Sequence, residues 1–98
     1  MIPRMSYHNP VLLQECIDFL ALKPNGIYVD ATFGGGGHSR EILRQLEGGK
    51  LFGFDQDPAA QQNVPNDERF TLIAANFRHL KKMLRFHGIS QIDGLLAD

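Results

Sequence analysis

The sequence predicts an α/β fold in which a parallel sheet carries helices on both faces. Three observations predict it. Short apolar runs alternate along the chain with stretches of helical spacing, as repeated strand–helix–strand crossovers require. The first run, through Val29, Asp30 and Ala31, leads into four consecutive glycines, Gly34 to Gly37, that open a helical stretch. The second run, Leu51-Phe52-Gly53-Phe54, ends on Asp55, 19 positions after Gly36.

Taken in order, the first element is a helix over 9–22. Asn9 can cap it, Pro10 suits its first position, and Leu13, Ile17 and Leu20 recur at helical spacing. Lys23-Pro24-Asn25-Gly26 stops it. A buried strand follows over 27–31, a second helix over 37–46 ended by Gly48-Gly49, and a strand over 51–54. Asp57-Pro58 repeats the cap-then-proline start, but Pro65 and Asn66 cut that helix short. A third strand is expected over 70–74. A helix over 77–86 places Phe77, Leu80 and Leu84 on one side and is closed by Gly88. The last strand, over 92–97, is lightly interrupted by Asp93-Gly94. No internal repeat, low-complexity segment or interdomain linker is visible.

Ninety-eight residues, 43% of them hydrophobic, suit one modest globular domain. Ten Lys and Arg against eleven Asp and Glu give no broad basic footprint for nucleic acid, without excluding a local one. Cys16, the only cysteine, cannot form an internal disulfide and reads as a core thiol. His8, His79 and His87 have no metal-site spacing, so no metal is expected. No apolar run is long enough for a bilayer, and the start does not read as a signal peptide. The chain reads as cytoplasmic.

A glycine loop at the start of a first crossover helix, with a carboxylate closing the second strand, binds adenosine-type cofactors. Four glycines in a row are costly in backbone entropy, which favours a loop shaped for ligand approach over a plain turn. The Gly-Lys-Ser/Thr ending of a triphosphate-cradling loop is absent. Asp55 is placed to accept both hydroxyls of a ribose, whereas Asp57, before Pro58, is better placed as a turn cap. Asp30 can hydrogen-bond turn amides or face the cofactor's amino acid end. His38 can touch the cofactor or cap the turn. Phe77 either offers an apolar face to an adenine or belongs to the core stripe with Leu80 and Leu84. Asp98 closes the fourth strand near the cofactor's reactive part, where an unpaired buried acid would be expensive.

These residues resemble the bacterial 16S ribosomal RNA cytosine-N4 methyltransferases. The matching blocks are His8-Asn9-Pro10-Val11-Leu12-Leu13-Gln14-Glu15, the stretch 29–39, Gly53-Phe54-Asp55-Gln56-Asp57-Pro58, Asn76-Phe77 with Leu80, and Asp93-Gly94-Leu95-Leu96-Ala97-Asp98. The resemblance implies the N-terminal portion of a Rossmann-like class I methyltransferase fold. It implies that Gly36, Gly37 and His38 contact S-adenosyl-L-methionine, that Asp55 holds its ribose, that Phe77 lies by its adenine and that Asp98 lines the same pocket. It further implies methylation of the exocyclic N4 of a cytidine in 16S ribosomal RNA of the small subunit, in the cytoplasm, and assigns no catalytic base. Family members continue past the last aspartate with Leu-Gly, further strands and an inserted helical domain. Residues 1–98 are therefore expected to be a partial cofactor-binding domain, truncated after the fourth predicted strand. The RNA surface is expected mostly elsewhere, and the isolated piece is expected to be inactive and either marginally folded or self-associated. Ala97 stands where the family more often has leucine, and 59–67 is short for a full crossover helix. Two alternatives stay open: a nicotinamide-dependent oxidoreductase, whose Gly-x-Gly-x-x-Gly pattern fits residues 34–37 only partly, and a non-enzymatic fragment.

Overall fold

The computed structural model describes residues 15, 17, 18, 20–31 and 33–97. Of the first expected helix, Glu15, Ile17, Asp18 and Leu20 are helical. Its earlier part, Cys16 and Asp98 lie outside the described residues.

Short, mainly apolar runs form the strands: β1 (Ile27–Asp30), β2 (Lys50–Phe54), β3 (Phe70–Ile73) and β4 (Gly94–Leu96). All pairs are parallel, in the order β3-β2-β1-β4. In register, Val29 lies between Phe52 and Leu95, and Asp30 between Gly53 and Leu96. Side chains alternate across a strand, so each strand feeds two cores. Tyr28, Leu51, Phe70 and Leu96 pack on one face with Ile42 and Leu43 of helix α1 (Gly37–Gln45). Val29, Phe52, Phe54 and Ile73 pack on the other with Leu84 of helix α2 (Leu80–Phe86). Both faces are covered, as expected of a parallel sheet.

The sequence boundaries shift by a residue or two, with three informative differences. The second crossover is a 3-10 helix, Pro58–Asn63, rather than a short α-helix; Asp57 caps it, its side chain accepting from the Ala59 amide at 2.9 Å. The third begins as a 3-10 turn, Phe77–His79, because the Asn76 side chain accepts from the Arg78 amide at 2.9 Å before α2 proper starts. The last strand is only Gly94–Leu96. Asp93, which interrupts the apolar run, fastens the strand's entry: its carboxylate accepts from the Ile27 amide at 2.8 Å, and its own amide donates to the Ile27 carbonyl at 2.7 Å. On its far side β4 has no strand neighbour among the described residues.

At the entry to β3, Arg69 forks onto Asp67, Nε to Oδ1 at 2.9 Å and Nη2 to Oδ2 at 2.6 Å, while Nη1 donates to the Leu46 carbonyl beyond α1. The side-chain hydrogen bonds from Arg69, then its backbone amide, hold the Asp67 carboxyl down from 3.8 to about 2. A carboxylate depressed by folding contributes stability that is complete above its unfolded pKa and disappears as pH falls through the folded one. Acid titration is therefore expected to cost the wild type, between pH about 4 and about 2, stability that Asp67→Asn does not lose over the same window. With both side chains 25% exposed, screening keeps the difference under about 1 kcal/mol. Denaturant melts of the two proteins at pH 5, 3.5 and 2.5 check it.

The strand order carries the functional consequence. The chain steps outward from β1 to β2 to β3, then returns to place β4 on the opposite side of β1. The strand order thus reverses between β1 and β4, and a crevice at the carboxyl ends of the strands at such a switch point is where open α/β sheets bind ligands.

Candidate cofactor site

The loop between β1 and α1 is anchored at Phe33. This residue, 2% exposed, stacks on Phe70 with ring centroids 5.2 Å apart. The two rings close over Gly53 of β2, where a β-carbon would come within 2.8 Å of Phe70 and 3.1 Å of Phe33. The glycine in the strand thus makes room for the residue that leads into the loop.

The four loop glycines divide into two kinds. Gly34 and Gly36 have φ of +48° and +84°, which other residues adopt only with strain. Gly36 caps α1 through its backbone, its amide donating to the Phe33 carbonyl at 2.7 Å and its carbonyl accepting from Arg40 at 2.9 Å. Gly35 and Gly37 instead face open space, with nothing within 4 Å of an added β-carbon. One pair supplies the turn and the other supplies clearance.

Three elements clamp this loop. Asp55, after β2, accepts from the Gly34 amide through Oδ2 and from the Asp57 amide through Oδ1, each at 2.9 Å. Asn63, at the end of the 3-10 crossover, donates to the Gly34 carbonyl at 3.3 Å. Arg40, one turn into α1, reaches back to the Gly35 carbonyl at 2.9 Å and across to the Asn63 carbonyl at 3.1 Å.

Beside the loop lies a cleft of about 440 Å³, lined by Ala31, Asp55, Gln56, Ala75, Asn76 and Phe77 among others. Phe77 meets Phe54 edge-on, centroids 5.7 Å apart at 85°. It packs with Leu80 against the core around Leu84 and also lines the cleft, so the core reading of its sequence position holds and its exposure to the cleft leaves the adenine reading to be tested.

Asp55 and Phe77 thus share one cleft, and Gly36, Gly37 and His38 form the adjoining helix entry, tied to Asp55 through Gly34. His38 is buried, at 6% exposure. Asp30 is fully buried at the end of β1 and accepts from the Ser39 hydroxyl at 2.7 Å, a partner that no sequence pattern marks. Asn63 and Arg40 are likewise invisible to sequence reasoning. Asn63 lies 29 positions from Gly34, and no local signal connects them. Among the described residues no cluster of three or more His, Cys, Asp or Glu could hold a metal, and no helix is long and apolar enough to cross a membrane.

Strand order, glycine loop and the carboxylate after β2 define a Rossmann-like fold of the methyltransferase kind. Consistent with this, an rRNA methylase from Streptococcus thermophilus superposes with a TM-score of 0.62 at 27% identity, over 83% of this chain and 51% of that one. The chain belongs to the MraW methylase family, whose model matches residues 5–98. It is 64% identical to the ribosomal RNA small subunit methyltransferase H of Flavobacterium johnsoniae, over 100% of this chain and 33% of the relative. It is 56% identical to the protein of the same name from Bacteroides thetaiotaomicron, over 96% of this chain and 31% of the relative. The chain therefore spans about a third of the length of these curated relatives. Membership in a methylase family sets aside the nicotinamide-dependent oxidoreductase alternative.

Proposed function

We propose that this chain is the cofactor-holding first part of a cytoplasmic, S-adenosyl-L-methionine-dependent methyltransferase domain that acts on the exocyclic N4 of a cytidine in 16S ribosomal RNA of the small subunit. The observation that carries the cofactor reading is the posture of Asp55. Each of its carboxylate oxygens accepts one protein amide, which fixes the carboxylate at the rim of the cleft. An ionised carboxylate has about four lone-pair sites, so two remain for the hydroxyls of a ribose. Phe77 across the cleft provides an apolar edge for an adenine, and the open faces of Gly35 and Gly37 leave room for backbone approach. Gly36, Gly37 and His38 form the loop side of this site, and the family resemblance adds Asp98 to the residues proposed to bind the cofactor.

When bound, S-adenosylmethionine supplies an electrophilic methyl on a sulfonium. Asp55, at the ribose, and the clamped glycine loop would hold that methyl toward N4, whose proton would pass to solvent. The cytosine amine is a weak nucleophile because its lone pair is delocalised into the ring, so alignment is the main demand on the protein. This chain meets it by immobilising the donor: the clamped loop fixes one end of the site and Asp55 fixes the ribose. The names of the relatives support the RNA substrate. The apolar edge of β4, which has no strand neighbour among the described residues, supports the further reading that the 98-residue chain is marginally folded or self-associates when isolated.

Calorimetric titration of the full-length protein tests the cofactor. S-adenosylhomocysteine is expected to give a saturable heat and NAD none; heat from NAD alone overturns the proposal. Nucleoside analysis of small-subunit RNA treated with the protein and S-adenosylmethionine is expected to yield N4-methylcytidine, and a methyl at another position overturns the substrate assignment.

A further inference from the structure

The near-neutral charge of the chain conceals a strong segregation. Between Phe70 and Ile92 there are four cations, Arg78, Lys81, Lys82 and Arg85, and no Asp or Glu. The rest of the chain holds six cations against eleven acidic residues. The four stand at i, i+3, i+4 and i+7, so they share one face of α2 and the turn leading into it, and all four are exposed. Leu80, Met83 and Leu84 occupy the opposite face and pack on the sheet. Phe86 follows Lys82 by one turn and is 82% exposed, the one large hydrophobic side chain so exposed among the described residues.

A charged face is ordinarily a solvated one, with alternating signs that stabilise the helix. This face is different. Arg78 with Lys81 and Lys82, and Arg85 with Lys81 and Lys82, are like-charge pairs at three- and four-residue spacing, each of which weakens a solvated helix. Elsewhere among the described residues three of five cations have acidic partners, Lys23 with Asp93, Arg44 with Glu41 and Arg69 with Asp67, and Arg40 is held by two backbone carbonyls. The four on α2 have none among the described residues; Arg78 instead donates from Nε to His79 at 3.2 Å. A row of uncompensated cations beside an exposed aromatic ring is the arrangement that tracks a phosphate backbone and stacks an unpaired base.

We propose that the outer face of α2, with Arg78, Lys81, Lys82, Arg85 and Phe86, is a docking surface for the ribosomal RNA substrate. This rests on the RNA-methyltransferase reading above and revises the expectation that the RNA surface lies mostly elsewhere. The position fits the role. Arg78 directly follows Phe77 at the cleft, and the stripe runs from there along the helix. From residue 78 to 85 the helix advances about 10 Å, the reach of about three phosphates along one duplex strand. RNA held on this stripe has one end at the mouth of the cofactor cleft.

The test uses the full-length protein with Arg78, Lys81, Lys82 and Arg85 all changed to glutamine, and separately Phe86→Ala. A fluorescent small-subunit RNA fragment is titrated by anisotropy at several salt concentrations, and S-adenosylhomocysteine by calorimetry. The fourfold variant is expected to bind RNA about 100-fold more weakly at low salt, with the salt slope reduced by about 0.7–0.9 for each phosphate that is no longer neutralised. Phe86→Ala is expected to weaken binding about fivefold with the slope unchanged, as removal of a stacking ring would. Cofactor affinity should stay the same in both. Unchanged RNA affinity and slope in the fourfold variant overturn the proposal while leaving the enzyme reading intact. A wild type that binds S-adenosylhomocysteine but no RNA overturns the substrate reading and this surface with it. Loss of binding to whole subunits with full binding to naked RNA overturns it in favour of an acidic protein partner.

Discussion

Asp55→Ala is expected to weaken S-adenosylmethionine binding by about 1.5–3 kcal/mol for each charge-assisted hydrogen bond to the ribose that is removed, roughly ten- to 150-fold per bond. The structure adds a second effect. Because the carboxylate also accepts from the Gly34 and Asp57 amides, its removal frees the glycine loop from β2 and costs the fold about 1–2 kcal/mol. Asp55→Asn separates the two. Its amide keeps one carbonyl acceptor for the loop but loses the charge and one of the two acceptor oxygens, so the melting temperature should largely recover while cofactor affinity should not. Calorimetric titration and thermal melts of both variants measure the pair of effects. A dissociation constant for Asp55→Ala within twofold of the wild type would reduce Asp55 to a loop tie with no part in ribose binding.

That double duty explains why the site is only partly legible in the sequence. A carboxylate at the end of a second strand, a fixed distance after a glycine run, is a local pattern, and it points to Asp55 directly. Turn capping by Asp55 competes with ribose binding when only the sequence is read; in the structure the carboxylate accepts two backbone amides, and the proposed ribose contact uses the lone pairs that remain. Element order is legible for a similar reason. Apolar runs, prolines and glycines act within a few residues of themselves, and both sheet faces, the Asp57 cap and the shortness of the second crossover follow from them.

What escapes the sequence depends on segments meeting in space. Asn63 looks like the tail of a failed helix, and only the folding of that crossover against the loop gives its side chain the Gly34 carbonyl. Arg40 reads as one more helical surface charge, and Ser39 as an ordinary helix position, until α1 lays them against the Gly35 carbonyl and Asp30. The glycine run reads as a single feature. Its division into two glycines for torsion and two for clearance emerges only when neighbours surround it. The α2 cations are visible letter by letter but are averaged away by a balanced total charge.

Gly53→Val is expected to be the most damaging single change, because it acts on the fold and the site together. A β-carbon here would sit 2.8 Å from Phe70 and 3.1 Å from Phe33, and valine adds two methyl groups to that overlap. Both rings are buried and stacked at 5.2 Å, so neither can swing away without opening the core beneath β2. Overpacking of this kind costs about 1–3 kcal/mol, occasionally more, and in a domain of this size each kcal/mol lowers the melting temperature by about 4–8 °C. The strain also has a direction. Phe33 is the residue that leads into the glycine loop, so displacing its ring moves Gly34 away from both Asp55 and Asn63. Cofactor affinity should therefore fall along with stability, although Gly53 is buried in the strand. Adding Phe70→Leu removes the nearer ring and should restore part of both. Melts and S-adenosylhomocysteine titrations of the single and double variants decide the matter: equal melting temperatures for wild type and Gly53→Val would show that the rings yield freely, and reduced stability with unchanged cofactor affinity would show that Phe33 does not set the loop.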